Sequence, residues 1–196
     1  MEGNMKKTRI IAISLLAALG IIFWFYRSEF ELGKYDDFQE AIQKGIPYEV
    51  NNIIHIEEQG GVTVVMYTTD PDKKDFPLAD WEALAVAFFT GSDENGWESR
   101  GGHGWSHYEN DNMTLNIEPF YDFDRQGNEL HDSYVVFGEV HNPEIVKVET
   151  KGHFEESFEE IEIIEHEGKR YYFRTGREPI VRGLSKSGEI IDRQGG

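Results

Sequence analysis

Residues 10–26 run IIAISLLAALGIIFWFY, seventeen residues without a charge, and Ser14 alone breaks their apolar character. A helix rises about 1.5 Å per residue, so the run covers about 25 Å. The hydrocarbon core of a bilayer is about 30 Å thick, and helices of about 17 residues are long enough to span it. Lys7, Arg9 and Arg27 flank the run and can extend their stems while their charges stay among the headgroups. Trp24 and Tyr26 lie at its end, where amphipathic rings favour the interface. The run therefore reads as a transmembrane helix. Lys6, Lys7 and Arg9 precede it, whereas Glu29, Glu31, Asp36 and Asp37 follow Arg27. That asymmetry predicts a single-pass protein of the cell membrane, with its N-terminus cytoplasmic and its C-terminal part extracytoplasmic. A cleaved signal peptide would end its apolar stretch at a small-x-small site. This run ends in Phe23-Trp24-Phe25-Tyr26-Arg27, with Ala17 and Ala18 in its middle, so the expectation is an uncleaved anchor. The sequence has no Cys, which excludes a disulfide and a lipid-modified cysteine.

The organisation expected from this anchor is a cytoplasmic N-terminus (1–9), a transmembrane anchor (10–26), a linker (27–34) and an acidic extracytoplasmic domain (35–196). The charge is unevenly divided. Residues 1–27 hold four of the 19 Lys and Arg and one of the 37 Asp and Glu, which leaves 15 basic and 36 acidic side chains beyond, a balance of −21. Such a field repels nucleic acid, so no nucleic-acid partner is expected. It favours cations, basic peptides or a basic surface, and it also keeps an exported domain soluble. Aromatic residues are 13 % of the chain, too many for a disordered tail.

Past the linker one segment reads as a helix. In residues 35–44, Phe38, Ala41 and Ile42 fall at i, i+3 and i+4, and Gly45 with Pro47 stops the run. Strand patterns then take over. Residues 53–56 and 62–68 are β-branched and aromatic around the Gly60-Gly61 turn. Residues 69–79 form a loop with two prolines. WEALAVAFFT, at 81–90, mixes helix and strand formers, and its second half reads as a strand. Asn95-Gly96 marks a hairpin. Residues 113–121, 134–140, 145–150 and 169–174 read as strands, with Pro119 placing the first at an edge or a bulge. FEEIEIIEHE, at 158–167, reads as one half-buried strand. Residues 179–183 and 189–192 close a hairpin around Lys186-Ser187-Gly188. Roughly ten short strands at this spacing predict a mainly β fold, a β-sandwich or a partly open barrel-like domain with one short helix.

The series Gly96-Trp97, Gly101 to Gly104, VVFGEVHNPEIVKVE at 135–149, GKRYYF at 168–173 and VRGLSKSGEII at 181–191 resembles a group of small membrane-anchored or exported proteins, of no assigned activity, from low-GC Gram-positive, Bacillus-like bacteria. The resemblance covers residues 50–193. It implies an envelope location and a β fold, and it carries no catalytic residues over.

Two patterns bear on chemistry. In a strand His103, His107 and Glu109 share one face, and together they could ligate one zinc ion as a His₂Glu set. The HExxH form is absent, and Gly101, Gly102 and Gly104 loosen the segment, so the plainer reading is a Gly-rich loop around a core Trp105. Asp122 and Asp124 begin a partial calcium-loop pattern whose twelfth position is Ser133 instead of Glu, which favours a hairpin turn at Gly127-Asn128. Asp70, Asp72 and Asp75 form a second acidic loop. These five aspartates are expected to draw divalent cations weakly, without a tight zinc site anywhere. There is no Cys, no GxSxG and no phosphate-binding loop, so no catalytic set and no cofactor are predicted. The expected function is a non-catalytic binding or interaction module at the cell envelope, held by residues 10–26 and facing an envelope protein or peptide. The alternative is a metal-binding protein or metal-dependent hydrolase centred on His103 and His107.

Overall fold

The computed structural model describes residues 34–196, apart from 103, 108, 109, 124, 125 and 177. The apolar run 10–26, expected to span a membrane, lies outside the described residues, among which no helix is long and apolar enough to cross a membrane. Residues Tyr35–Gly196 form one unit, mainly β with one short helix.

The two-residue strand β1 (Lys34–Tyr35) leads into helix α1 (Phe38–Gly45). Asp37 caps the helix by accepting from the Glu40 backbone N–H at 2.7 Å, and the Glu40 carboxylate reaches back to the Asp36 N–H at 3.2 Å. This reciprocal arrangement satisfies two amides that the first turn leaves open. Five strands follow: β2 (Asn52–Gln59), β3 (Val62–Thr69), β4 (Ala83–Ser92), β5 (Gly96–Gly101) and β6 (Trp105–Ser106). They form the first sheet, in the order β1-β5-β4-β3-β2, with β6 also on β4. Gly60 and Gly61 both take positive φ, +61° and +83°, as a two-residue hairpin loop between β2 and β3 requires.

The remaining strands are β7 (Asn116–Phe123), β8 (Glu129–Glu139), β9 (Lys147–Lys151), β10 (Glu159–Ile161), β11 (Ile163–His166), β12 (Lys169–Thr175), β13 (Ile180–Leu184) and β14 (Ile190–Gln194). A second sheet runs β11-β12-β8-β7 and a third β10-β9-β13-β14. Pro119 sits in β7, at the edge of the second sheet, where its missing N–H costs least.

Side-chain parity sorts these sheets into layers. Val65, Tyr67, Ala85, Ala87 and Phe89 face Ala41, Ile42 and Ile46 around the helix. Val64, Met66, Leu84, Val86 and Phe88, on the opposite face of the same strands, meet Phe120, Val135, Phe137, Tyr171 and Phe173 of the second sheet. Val136 and Tyr172, from the far face of that second sheet, meet Val148, Ile161 and Val181 of the third. Strands β3, β4, β8 and β12 are therefore covered on both faces. This is why their sequences read as continuous apolar runs instead of alternating.

One sequence expectation changes. Residues 158–167 are two strands, β10 on β9 in the third sheet and β11 on β12 in the second. The chain steps between neighbouring sheets at Glu162. The doubled Ile163-Ile164 breaks the period of two because each residue serves a different core: Ile163 packs toward the third sheet and Ile164 toward the first. Strand β9 also starts at Lys147, two residues later than expected, which leaves Ile145 buried within the preceding loop.

Candidate functional site

The core between the first and second sheets is built from one parity on each strand: 64 and 66 on β3, 84, 86 and 88 on β4, 135 and 137 on β8, 171 and 173 on β12. Following that parity toward one end of the core, the residues turn polar. They are Thr68, Glu82, Glu139 and Lys169, and on β7 Asn116, four residues before the core residue Phe120. Here the two sheets leave a hollow of about 360 Å³, lined by Leu84 and by Glu82, Asn116, Glu139 and Lys169 together with Asp80, Trp81, His107, Thr114 and His141.

Several wall residues are held from behind. The Lys169 ammonium donates to Glu82 Oε2 at 2.7 Å. Asn51 Nδ2 and the Thr68 hydroxyl donate to Glu82 Oε1 at 3.1 and 3.3 Å. The Lys169 hydrogen bond, ahead of burial, sets the ionisation of Glu82 and holds its carboxyl below the ordinary carboxylate value. Across the hollow, the Glu139 backbone N–H donates to the Thr114 hydroxyl and the Thr114 N–H donates to the Glu139 carbonyl, both at 2.9 Å. Tyr172 Oη donates to the Thr114 carbonyl at 2.6 Å, which ties this segment to the third core. His141 is positioned by its backbone N–H, which donates to the Asn112 carbonyl at 2.9 Å, and its Nδ1 stands 3.8 Å from Glu139 Oε2. Asn116 differs from the others. It is only 6 % exposed, and its Oδ1 has no hydrogen-bond partner among the described residues. A buried amide oxygen without a donor is costly, and such groups occur where something else is meant to satisfy them.

Aromatic rings flank the hollow. His107 stacks on Trp81 with centroids 3.7 Å apart and planes at 9°. Trp81 meets Trp105 edge-on at 5.7 Å, and Phe76 meets the other side of the row at 5.2 Å from Trp105. In formal charge the walls carry three carboxylates, Asp80, Glu82 and Glu139, against the single ammonium of Lys169.

Of the residues that the sequence suggested for metal, His103 and Glu109 lie outside the described residues. His107 is exposed beside Trp81. Asp70 accepts from Asn51 Nδ2 at 3.0 Å, so it shares that amide with Glu82. Asp72 accepts from the Lys74 N–H at 2.8 Å and takes the Asp75 N–H on its carbonyl at 3.0 Å, the bonding of a tight turn. Asp122 lies within β7, 3.8 Å from Arg100, and Asp124 is outside the described residues. Among the described residues no three His, Asp or Glu side chains gather closely enough to hold a metal ion.

The hollow's own residues escaped sequence reasoning because none belongs to a local motif. Glu82, Asn116, Glu139 and Lys169 come from four distant segments. The available signal was parity: each is polar at a position where its strand's core-facing series should continue. Which strand ends adjoin is fixed only by the sheet order. A second hollow, of about 560 Å³, opens between Ile117, Tyr134, Phe154 and Pro179. Its walls are mainly apolar, and its half-buried carboxylate, Glu178, has Arg174 Nε 3.5 Å from Oε1, while Oε2 is buried with no hydrogen-bond partner among the described residues. Burial lifts the Glu178 carboxyl above its ordinary value. No protein-family model, no curated protein and no solved structure matches this chain.

Proposed function

We propose that the chain is a membrane-anchored binding module of the cell envelope, without catalysis of its own. In this reading residues 10–26 cross the membrane once, residues 35–196 form a sandwich-like extracytoplasmic domain, and the hollow beside Trp81 is the ligand site. The observation that carries the site is the Asn116 amide oxygen, buried and unpartnered at the wall of a polar hollow. Converging polar groups in a concave site are what fixes a ligand's orientation. The anchor and the acidic balance of residues 28–196 support the location. Glu82 is committed to Lys169, Asn51 and Thr68.

A photo-reactive phenylalanine analogue at Leu78, which is 93 % exposed near the aromatic row, tests this in intact cells. Irradiation is expected to give one discrete adduct with an envelope component, and Asn116→Leu is expected to abolish it. No adduct, or an adduct that Asn116→Leu leaves unchanged, would overturn the assignment of this hollow.

A further inference from the structure

We propose that the hollow beside Trp81 accepts a primary ammonium group, of the kind carried by a lysine side chain of a basic peptide. The inference rests on the reading of this hollow as a ligand site and adds the chemistry of its ligand.

The buried hydrogen-bonding group of the walls that lacks a partner among the described residues is an acceptor. Asn116 Oδ1 is an acceptor with no donor. Asp80 and Glu139 bring carboxylates, and the nearest described cation to Glu139 is the His141 ring at 3.8 Å, charged only if protonated. The one fixed cation of the walls, Lys169, is already spent on Glu82. What the walls leave unbalanced is therefore negative charge and one buried acceptor. A ligand anion would meet three carboxylates, and a bare metal ion would find no three ligands close enough among the described residues. An ammonium fits both needs, because it has three donors and one charge and can divide them between an amide oxygen and a carboxylate. Its alkyl stem also suits the apolar indole of Trp81 in the wall. The Lys169–Glu82 contact shows the same pairing made within the molecule, at 2.7 Å. The −21 balance of residues 28–196 would concentrate basic ligands near the domain and speed their arrival.

The test uses the full chain in detergent micelles at ~0.15 M salt, where loose surface attraction is screened. The probe is Nα-acetyl-lysine methylamide, which carries one ammonium, set against its Nε-acetylated form, which carries none. Ligand-observed NMR is expected to show saturable binding of the first, with the second weaker by about tenfold or more. Glu139→Gln, which keeps size and shape, is expected to weaken the amine by about tenfold, as the loss of a charge-assisted bond does. Asn116→Leu should act in the same direction, whereas Lys169→Met, which frees the Glu82 carboxylate from its internal cation, should leave binding equal or tighter. If Asn116→Leu does not fold, Glu139→Gln and Lys169→Met still decide. Equal binding of the two probes, or amine binding indifferent to Glu139→Gln, would overturn the ammonium assignment. Should the probes fail while the Leu78 adduct persists and still needs Asn116, the ligand class is wrong and the binding site stands. Loss of both would remove the site itself.

Discussion

Two tyrosines show how differently one residue type behaves in different layers. Tyr67, on the helix side of the first sheet, is fully buried, and its hydroxyl has no partner among the described residues. Burial pushes its phenol well above the ordinary value, so the group stays neutral and simply lacks a bond. Tyr172, also fully buried, donates to the Thr114 carbonyl at 2.6 Å. It also covers its cross-strand neighbour Gly138, where a Cβ would lie 2.1 Å from that same carbonyl oxygen. Removing one hydroxyl from each should have opposite effects. Tyr67→Phe deletes an unsatisfied group and should leave stability unchanged or raise it by about 1 kcal/mol, whereas Tyr172→Phe strands a carbonyl and should cost about 1–2 kcal/mol. Urea unfolding of the two variants decides, and a clear loss in Tyr67→Phe would show that its hydroxyl has a partner. Neither outcome is legible in the sequence, where both residues are aromatic positions in strand patterns. The same holds for Asn116. It reads as a polar residue inside the strand expected at 113–121, and only the meeting of distant segments makes its amide oxygen a lone acceptor. The His103, His107 and Glu109 spacing is the opposite case, conspicuous in sequence because its members are close along the chain.

At the scale of elements, the strands with β-branched or aromatic runs were readable as strands. Val62–Thr69 is one, and Ala83–Ser92 overrides the helix-forming Ala and Leu at its start because both of its faces are buried. Residues 158–167 were not readable as two strands, because alternation reports a half-buried face without saying which sheet supplies the cover. The pairing of β9 with β13 was hidden for a related reason, since 28 residues separate the two strands in sequence and only the fold sets their register. That register places Glu149 opposite Arg182. Arg182 Nε donates to Glu149 Oε2 at 2.7 Å, and Lys147 Nζ lies 2.7 Å from Oε1. The guanidinium also lies over the Phe158 ring, 3.8 Å from its centroid. Glu149 is only 8 % exposed, and its hydrogen bond to Lys147, followed by that to Arg182, holds its carboxyl below the ordinary value. A depressed folded value means that the carboxylate stabilises the fold at pH above the unfolded carboxylate range. That contribution is lost progressively as pH falls through the folded value. Stability measured by urea unfolding should therefore drop across the acidic range. Glu149→Gln should start lower near neutral pH and flatten that slope, because the variant no longer has the group to titrate. A variant with the parent's acid slope would place the linkage elsewhere.

Across the whole molecule, the strongest sequence signals and the strongest structural ones concern different parts of the chain. Residues 10–26 and the flanking Lys and Arg give the proposed topology, with the domain outside the membrane, while the layered cores seen among the described residues draw on residues 35–196. The three cores are not independent. Strands β3 and β4 contribute to the helix-side core and to the central one, and strands β8 and β12 contribute to the central core and to the outer one. Losing any layer uncovers a buried face of the next, so the layers should unfold together despite their number. Removal of the proposed anchor is expected not to change that behaviour. Protease added to cells stripped of their wall should therefore cut in the segment 27–34 and release a fragment that begins near Tyr35. The released fragment should give a β-dominated far-ultraviolet spectrum and melt in one cooperative transition. Its protection in intact wall-less cells would refute the proposed topology. A fragment that melts in two separated steps would refute the coupling of the layers through their shared strands. A single transition in the fragment, at a temperature close to that of the full chain in detergent, is the outcome that shared burial requires.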